Sequence, residues 1–393
     1  MRHGLTSGNA NAQKAAVWAV YGLVCKAPAS RVVIAAKPGC LAALAEVLKS
    51  NSAVDVKGLA AVALRLLPAD SAAAVAADPG STAGLVALLS SGRPDMQQAA
   101  ADLLHGVVNK DPASRATAAA APGCLAALTQ VLNSNSASAV QGKMQAAGVL
   151  GLLALEHAAA VAAEPGCSEA LVALLSSGSA DLQRAAVQAL SVMCRVDASR
   201  AAIVATPGCL AAVTSLLNNA GAVEVKIGAA GILEWLAVER AAAVAAEPDC
   251  IGGLVRLLNS GSADAQQAAV QALHCVMCRS ETYPNSRAAI ASTSGFPAAL
   301  TSVLNNSLCN EETKRLAAVV LSLLPARYAA AVAAEPDCIV GLVALLSSGS
   351  TGLQEAALAA LHFLVSKDVS SRIGVAKEQP AMPWRRCLSA LVR

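Results

Sequence analysis

Four segments of this chain are nearly identical: SAAAVAADPGSTAGLVALLSSG (71–92), HAAAVAAEPGCSEALVALLSSG (157–178), RAAAVAAEPDCIGGLVRLLNSG (240–261) and YAAAVAAEPDCIVGLVALLSSG (328–349). Self-similarity at a fixed period of some tens of residues confines a chain to stacked units. Each unit has an apolar face that it cannot bury alone and must cover with its neighbours.

Between these copies runs a second version, marked by a Ser-Arg pair at Arg31, Arg115, Arg200, Arg287 and Arg372, which recurs every 84–87 residues. A proline punctuates every unit (Pro38, Pro79, Pro122, Pro165, Pro207, Pro248) at intervals of 41–43 residues. The unit is therefore about forty-two residues, and two alternating versions form a pair.

The apolar pattern within a unit has a helical period. In 208–217, Leu210, Val213, Leu216 and Leu217 fall at i, i+3, i+6 and i+7, which places them on one helix face. A Ser/Asn/Gly cluster follows, then an acidic residue at the start of a longer apolar run such as 181–194; this predicts a loop, N-cap chemistry and a second long helix. A short alanine-rich segment such as 199–205 predicts a first helix, which the Pro-Gly step stops. Three helices per unit make an all-α chain, an α-solenoid.

The segments GCLAALTQVL (123–132) and GFPAALTSVL (295–304) resemble the start of the middle helix in armadillo repeats, and LQRAAVQAL (182–190) resembles the third-helix start. The likeness recurs eight times between Asn11 and Arg372, and the three-helix unit with its early glycine fits HEAT repeats less well. The resemblance implies a right-handed superhelix of about nine units, the first and last incomplete. Residues 1–393 then form one solenoid, with a disordered start at 1–11, a partial repeat at 12–26, eight repeats over 30–366 and a partial repeat at 371–393. The direct opening in a third helix and the stop inside a middle helix lead us to expect a segment of a longer protein.

Composition narrows the function classes. The formal net charge is +3 and aromatics are 2% of residues, so the chain offers neither a field for phosphates nor platforms for stacking bases. The longest uncharged stretch, 116–142, is interrupted by Pro122, Gly123 and Asn133, and we expect no membrane span. Arg2 ahead of the apolar run 15–25 has the look of a signal peptide, but 13–24 aligns with the third helix of every later unit, Ala15-Ala16 pair included. A cytoplasmic or nuclear location is the expectation.

Six of the twelve cysteines (Cys40, Cys124, Cys167, Cys209, Cys250, Cys338) occupy one repeat position, and stacked helices about 8–10 Å apart keep equivalent thiols beyond disulfide reach. They read as small buried hydrophobes. Cys275 and Cys278 form a lone C-x-x-C without metal-ligand companions. His105, His274 and His362 share one third-helix position and lie two or more units apart, too distant to share a metal ion. Glu164, Glu247 and Glu335 each precede a proline and read as loop residues, and the chain carries no hydrolase, phosphate-loop or zinc-protease motif. We expect no catalysis, no cofactor and no metal.

What the armadillo resemblance implies instead is a protein-binding groove on the third helices, with a tryptophan and, four residues on, an asparagine that bonds a peptide backbone. Those positions here are Trp18/Gly22, Val62/Leu66, Asp102/Gly106, Gly148/Leu152, Gln188/Val192, Gly231/Trp235, Gln271/Cys275, Val319/Leu323 and Ala359/Phe363, with no asparagine at any. Groove candidates are therefore Trp18, Arg184, Gln188, Trp235, Gln267, Gln271, Arg315, Glu355 and Phe363, with Ile227 and Leu323 beside them. A strip of this kind suits an amphipathic partner helix, and the chain reads as a non-catalytic interaction scaffold. The substrate-binding region of a U-box ubiquitin ligase is the alternative the resemblance implies, and a nuclear-import adaptor is disfavoured by the missing asparagines. Lys57, Lys143, Lys226 and Lys314 form a recurring basic row, read as a solvated face that could also favour acidic partners. Glycines inside third helices (Gly58, Gly148, Gly151, Gly228, Gly231) predict close helix approach.

Overall fold

Seven middle helices begin after a residue in the left-handed region. Gly39, Gly123, Gly166, Gly208 and Gly295 hold φ of 73–76°, and Asp249 and Asp337 take the same place at 59° and 62°. This residue reverses the chain after the short first helix: 197–205 ends at Ala205, Thr206 is extended, and Cys209 opens the next helix. Glycine meets the left-handed requirement without strain, and aspartate is among the few side chains that tolerate it.

The structure is a computed structural model that describes residues 2–5, 9–37, 39–67, 78–136, 139–279 and 284–367, all helix, turn or loop without a strand. The partial repeat expected at 371–393 and Arg372 lie outside the described residues. Within the start expected to be disordered, Arg2–Leu5 forms a helical turn; Leu5 is fully buried and its carbonyl accepts a bond from Gln13 Nε2 at 3.1 Å.

Two compact units are formed, Met1–Pro207 and Gly208–Arg393. In the first, third helices Ala10–Lys26, Val54–Leu66, Pro94–Lys110, Val140–Ala163 and Ala180–Met193 pack in sequence order, alongside middle helices Cys40–Lys49, Pro79–Leu89, Cys124–Leu132 and Cys167–Leu175. The segment with the look of a signal peptide is the first of these third helices, packed on Val54–Leu66. In the second unit, third helices Val223–Ala246, Ala263–Arg279, Glu311–Ser322 and Thr351–Lys367 follow one another in the same way, with middle helices Cys209–Asn218, Cys250–Leu258, Phe296–Asn305 and Cys338–Leu345. Close packing rests on alanine pairs that are wholly buried, such as Ala100-Ala101, Ala146-Ala147, Ala229-Ala230 and Ala317-Ala318.

The two versions of the repeat close their corners differently. Where the Ser-Arg pair occurs, the guanidinium donates to a carbonyl at the end of the preceding third helix: Arg31 to Val24 (3.0 Å), Arg115 to Val108 (2.9 Å), Arg200 to Cys194 (3.1 Å) and Arg287 to Met277 (3.0 Å). A cation at a helix C-terminus also meets the negative end of its dipole. In the other version the third helix runs on into the alanine-rich first helix with only a kink, at His157 (φ −127°, ψ 33°) and Arg240 (φ −139°, ψ 52°). Pro325 separates the equivalent pair, Glu311–Ser322 and Ala329–Ala333.

The kinked helix Val140–Ala163 is 24 residues long with a mean hydropathy of 1.7 over its most apolar window, so by length and composition it could cross a membrane, contrary to the sequence expectation. In this structure Ala146, Ala147, Val149, Leu150, Leu153 and Ala154 of that helix are covered by neighbouring helices, while Val140 and Leu155 are exposed.

The basic row read from the sequence alternates with a row of glutamines that was not read. Five residues before each strip position stands glutamine in one version and lysine in the other. The glutamine amides clamp the preceding turn: Gln97 to the Leu89 carbonyl (2.9 Å), Gln183 to Ser177 (2.7 Å), Gln266 to Leu258 (2.8 Å) and Gln354 to Ser348 (2.6 Å). The lysines, Lys57, Lys143, Lys226 and Lys314, are half-buried rather than on a solvated face, and burial draws Lys57 and Lys143 below their ordinary pKa.

Candidate functional site

The strip positions behave alike in both units. The second residue of each pair is half-buried at Gly22, Leu66, Gly106, Leu152, Val192, Trp235, Cys275 and Leu323, while the residues on the opposite side of the same helices are wholly covered. A helix face that stays partly open at eight of the nine positions is a surface the packing leaves available.

In the first unit this face is hollowed. Third helices Pro94–Lys110, Val140–Ala163 and Ala180–Met193 enclose a depression of about 250 Å³ lined by His105, Asn109, Gly148, Gly151, Leu152, Leu155, Gln188, Ala189 and Val192. Two glycines make it. A Cβ on Gly151 would lie 3.1 Å from Ala189 Cα, and one on Gly148 would lie 3.0 Å from the His105 ring, so the helices meet where side chains are missing. The floor is aliphatic, with Leu155 49% exposed. Its rim carries the imidazole of His105 and the amides of Asn109 and Gln188. Burial lowers the His105 pKa despite the nearby Asp102 carboxylate, so its ring is neutral near pH 7. Asp102 is raised by burial against the pull of Arg65, whose Nε lies 3.6 Å away. Both shifts are those that desolvation gives.

The nine predicted groove residues separate into distinct environments. Gln188 lines the depression and is exposed, and Arg184, one turn earlier, is exposed and 3.4 Å from Asp181. Trp18 is 51% exposed and meets Tyr21 edge to face at 5.9 Å. In the second unit, Trp235 and Gln271 are half-buried and Glu355 is exposed. Gln267 accepts a bond from Asn310 at 3.1 Å, and Arg315 grips Glu312 at 2.6 Å, so both are engaged within the fold. Phe363 is only 8% exposed and is a core residue, a correction to its place among the groove candidates. Its helix turns that position inward, as an aromatic ring with no polar atom requires. Asn109 and Leu155 were missed. Both lie one turn or less from the pairs the resemblance selects, and the helical period alone could have added them.

A larger depression in the second unit, about 460 Å³, lies at the Arg240 kink and is lined by residues 237–243 and Arg279. It sits at the corner between helices, away from the strip positions on the same third helix.

The cysteine reading holds among the described residues: Cys40, Cys124, Cys167, Cys209, Cys250 and Cys338 are free and buried at the first turn of their middle helices. Burial pushes Cys124 up to about 12 and Cys167, Cys209 and Cys250 up to about 11. No group of three or more metal-ligating side chains occurs among the described residues.

Residues 156–195, one complete repeat in the first unit, match the family model for the armadillo/beta-catenin-like repeat. No curated protein matches the chain. Among solved structures, a crystal structure of an engineered protein is similar over 96% of this chain and 90% of its own, with 25% identity and a TM-score of 0.77. A structure reported with a phosphorylation switch that controls the interaction between cadherin and beta-catenin is similar over 97% of this chain and 71% of its own, with 18% identity and a TM-score of 0.80. A second engineered protein is similar over 61% of this chain and 97% of its own, at 25% identity and a TM-score of 0.53. The fold of the chain is that of the armadillo-like solenoids.

Proposed function

We propose that this armadillo-like repeat protein is a non-catalytic scaffold that binds a segment of a partner protein on its third-helix strip. One observation carries the reading: the depression over Gly148 and Gly151, with an aliphatic floor of Leu152, Leu155 and Val192 and a neutral polar rim of His105, Asn109 and Gln188. An apolar hollow with a few amides at its edge takes the anchor residues of an amphipathic helix, spaced i, i+3 or i+4, while the amides bond the partner's polar groups. The likeness to a structure concerned with the cadherin and beta-catenin interaction supports a protein partner.

A nuclear-import adaptor has less support, because the asparagine positions hold Leu152, Val192 and Cys275, which cannot bond a peptide backbone through an amide side chain. The substrate-binding region of a U-box ligase would use the same strip and remains the alternative. We place the protein in the cytoplasm or nucleus, since its buried free thiols suit a reducing compartment.

The test is affinity purification of the wild-type chain and of a Leu152→Asp, Leu155→Asp double variant, each followed by mass spectrometry and checked for helix content by circular dichroism. The reading expects a partner that the wild type retains and the variant loses, and that binds the purified wild type directly. An unchanged partner set with a folded variant would contradict it.

A further inference from the structure

The last turns of helix Ala263–Arg279 carry a cluster that includes the strip residue Cys275 and whose thiol chemistry the scaffold reading does not use. Cys278 Sγ lies 3.2 Å from Nε2 of His274, and Cys275 stands one turn before Cys278 on the same helix. All three are half-buried, whereas Cys40, Cys124, Cys167, Cys194, Cys209, Cys250, Cys309 and Cys338 are buried.

We propose that His274, Cys275 and Cys278 form a reactive dithiol site, at which a peroxide oxidises Cys278 and Cys275 then closes a disulfide with it. A thiol within hydrogen-bond reach of a neutral imidazole is the arrangement that activates a cysteine nucleophile. Burial holds His274 below its ordinary pKa; Arg315 on the next third helix acts in the same direction and Glu312 opposes it, so the ring is neutral, and in the tautomer that leaves Nε2 unprotonated it accepts from the Cys278 thiol as a weaker base than a free imidazole. Cys275 is pushed up to about 11 by burial, with Glu234 and Cys278 adding to the shift and Arg279 opposing it. It therefore stays protonated and leaves the first attack to Cys278.

The chemistry balances. The Cys278 sulfur attacks one peroxide oxygen as its proton passes to His274, the O–O bond breaks, and the leaving hydroxide takes that proton as water, which leaves a sulfenic acid. The Cys275 sulfur then attacks the Cys278 sulfur, the S–O bond breaks, and a second water departs with the Cys275 proton. Side chains at i and i+3 on a helix have Cβ atoms about 5–6 Å apart, and a disulfide needs about 3.5–4.5 Å. Because the helix ends at Arg279, one residue after Cys278, only its last turn has to tighten.

The experiment reads the thiols of the full chain directly and is independent of whether the strip binds a partner. Alkylation by iodoacetamide at neutral pH is timed by mass spectrometry, with the exposed Cys25 as internal reference. Cys278 should react several-fold faster than Cys25, and His274→Gln should bring it down to the Cys25 rate. Hydrogen peroxide should join Cys275 to Cys278 in the wild type, while Cys275→Ser should leave a sulfenic acid on Cys278 that dimedone traps. The proposal is overturned if wild-type Cys278 is no faster than Cys25, if folded His274→Gln reacts as fast as the wild type, or if peroxide leaves Cys275 and Cys278 unlinked.

Discussion

At single residues, the space around a glycine decides the sign of a substitution. Gly231 lies inside a third helix with nothing within 4 Å of the place a Cβ would take, whereas a Cβ on Gly84 would run into the Leu48 backbone of the preceding middle helix. Gly231→Ala should stabilise the protein by about 1 kcal/mol, and Gly84→Ala should destabilise it by about 1–3 kcal/mol, read from urea midpoints at constant slope. The sequence reading of glycines as contact points holds at Gly58, which faces Met96, and at Gly148 and Gly151, but not at Gly231. It overlooked Gly84, Gly253 and Gly341, which recur in the middle helices against Leu48, Leu217 and Asn305. Their shared repeat position was visible in the chain, but the contact is between units and needs the packing to be seen. Buried hydroxyls give a second case. Thr129, Thr214 and Thr301 have no hydrogen-bond partner. Burial pushes up the thiols of Cys167, Cys250 and Cys338, and these hydroxyls pull them partly back, a weak contact that leaves the oxygen unsatisfied. Thr214→Val should therefore range from neutral to about 1 kcal/mol more stable by the same measurement; a loss beyond that would show that the hydroxyl has a partner.

At the level of elements, the left-handed turn and the cysteine behind it make six of the middle-helix starts points of alkaline weakness. A thiol whose folded pKa is raised keeps its proton in the native state and loses it on unfolding. Its contribution to stability is whole below the ordinary thiol range and falls as pH rises through the interval up to the folded value. With Cys124 at about 12 and Cys167, Cys209 and Cys250 at about 11, against an ordinary value of 9.0, stability should drop between pH 9 and pH 11. Urea midpoints measured across that range should fall less steeply for Cys209→Ala than for the wild type; equal slopes would remove the thiol from the account. The period, the three helices and the Pro-Gly break were readable because each is a local pattern of residues. What closes the corners was not, because a guanidinium reaching a carbonyl of the preceding helix, as in Arg115 to Val108, gives the Ser-Arg pair a purpose only in three dimensions. The kinks at His157 and Arg240 likewise have no proline to announce them.

For the whole molecule, packing runs between sequence-neighbouring helices within each unit, and the core is rich in alanine. Stability is then close to a sum of repeat and neighbour terms. Chemical denaturation should be broad, with a low slope for 393 residues, and a single sharp transition would contradict this. The strip was legible only in outline. The resemblance marked which helix bears it and which turn faces outward, but the hollow over Gly148 and Gly151 comes from three helices converging, and Phe363 shows that one position in the series turns inward. The central claim is that a partner segment sits in that hollow, and site-specific photo-crosslinking tests it most directly. A probe at Gln188 should capture a discrete partner polypeptide that a probe at the exposed Glu169 of helix Cys167–Leu175 does not, and Leu152→Asp should abolish the capture. Equal capture from both positions, or capture that survives Leu152→Asp, would contradict it.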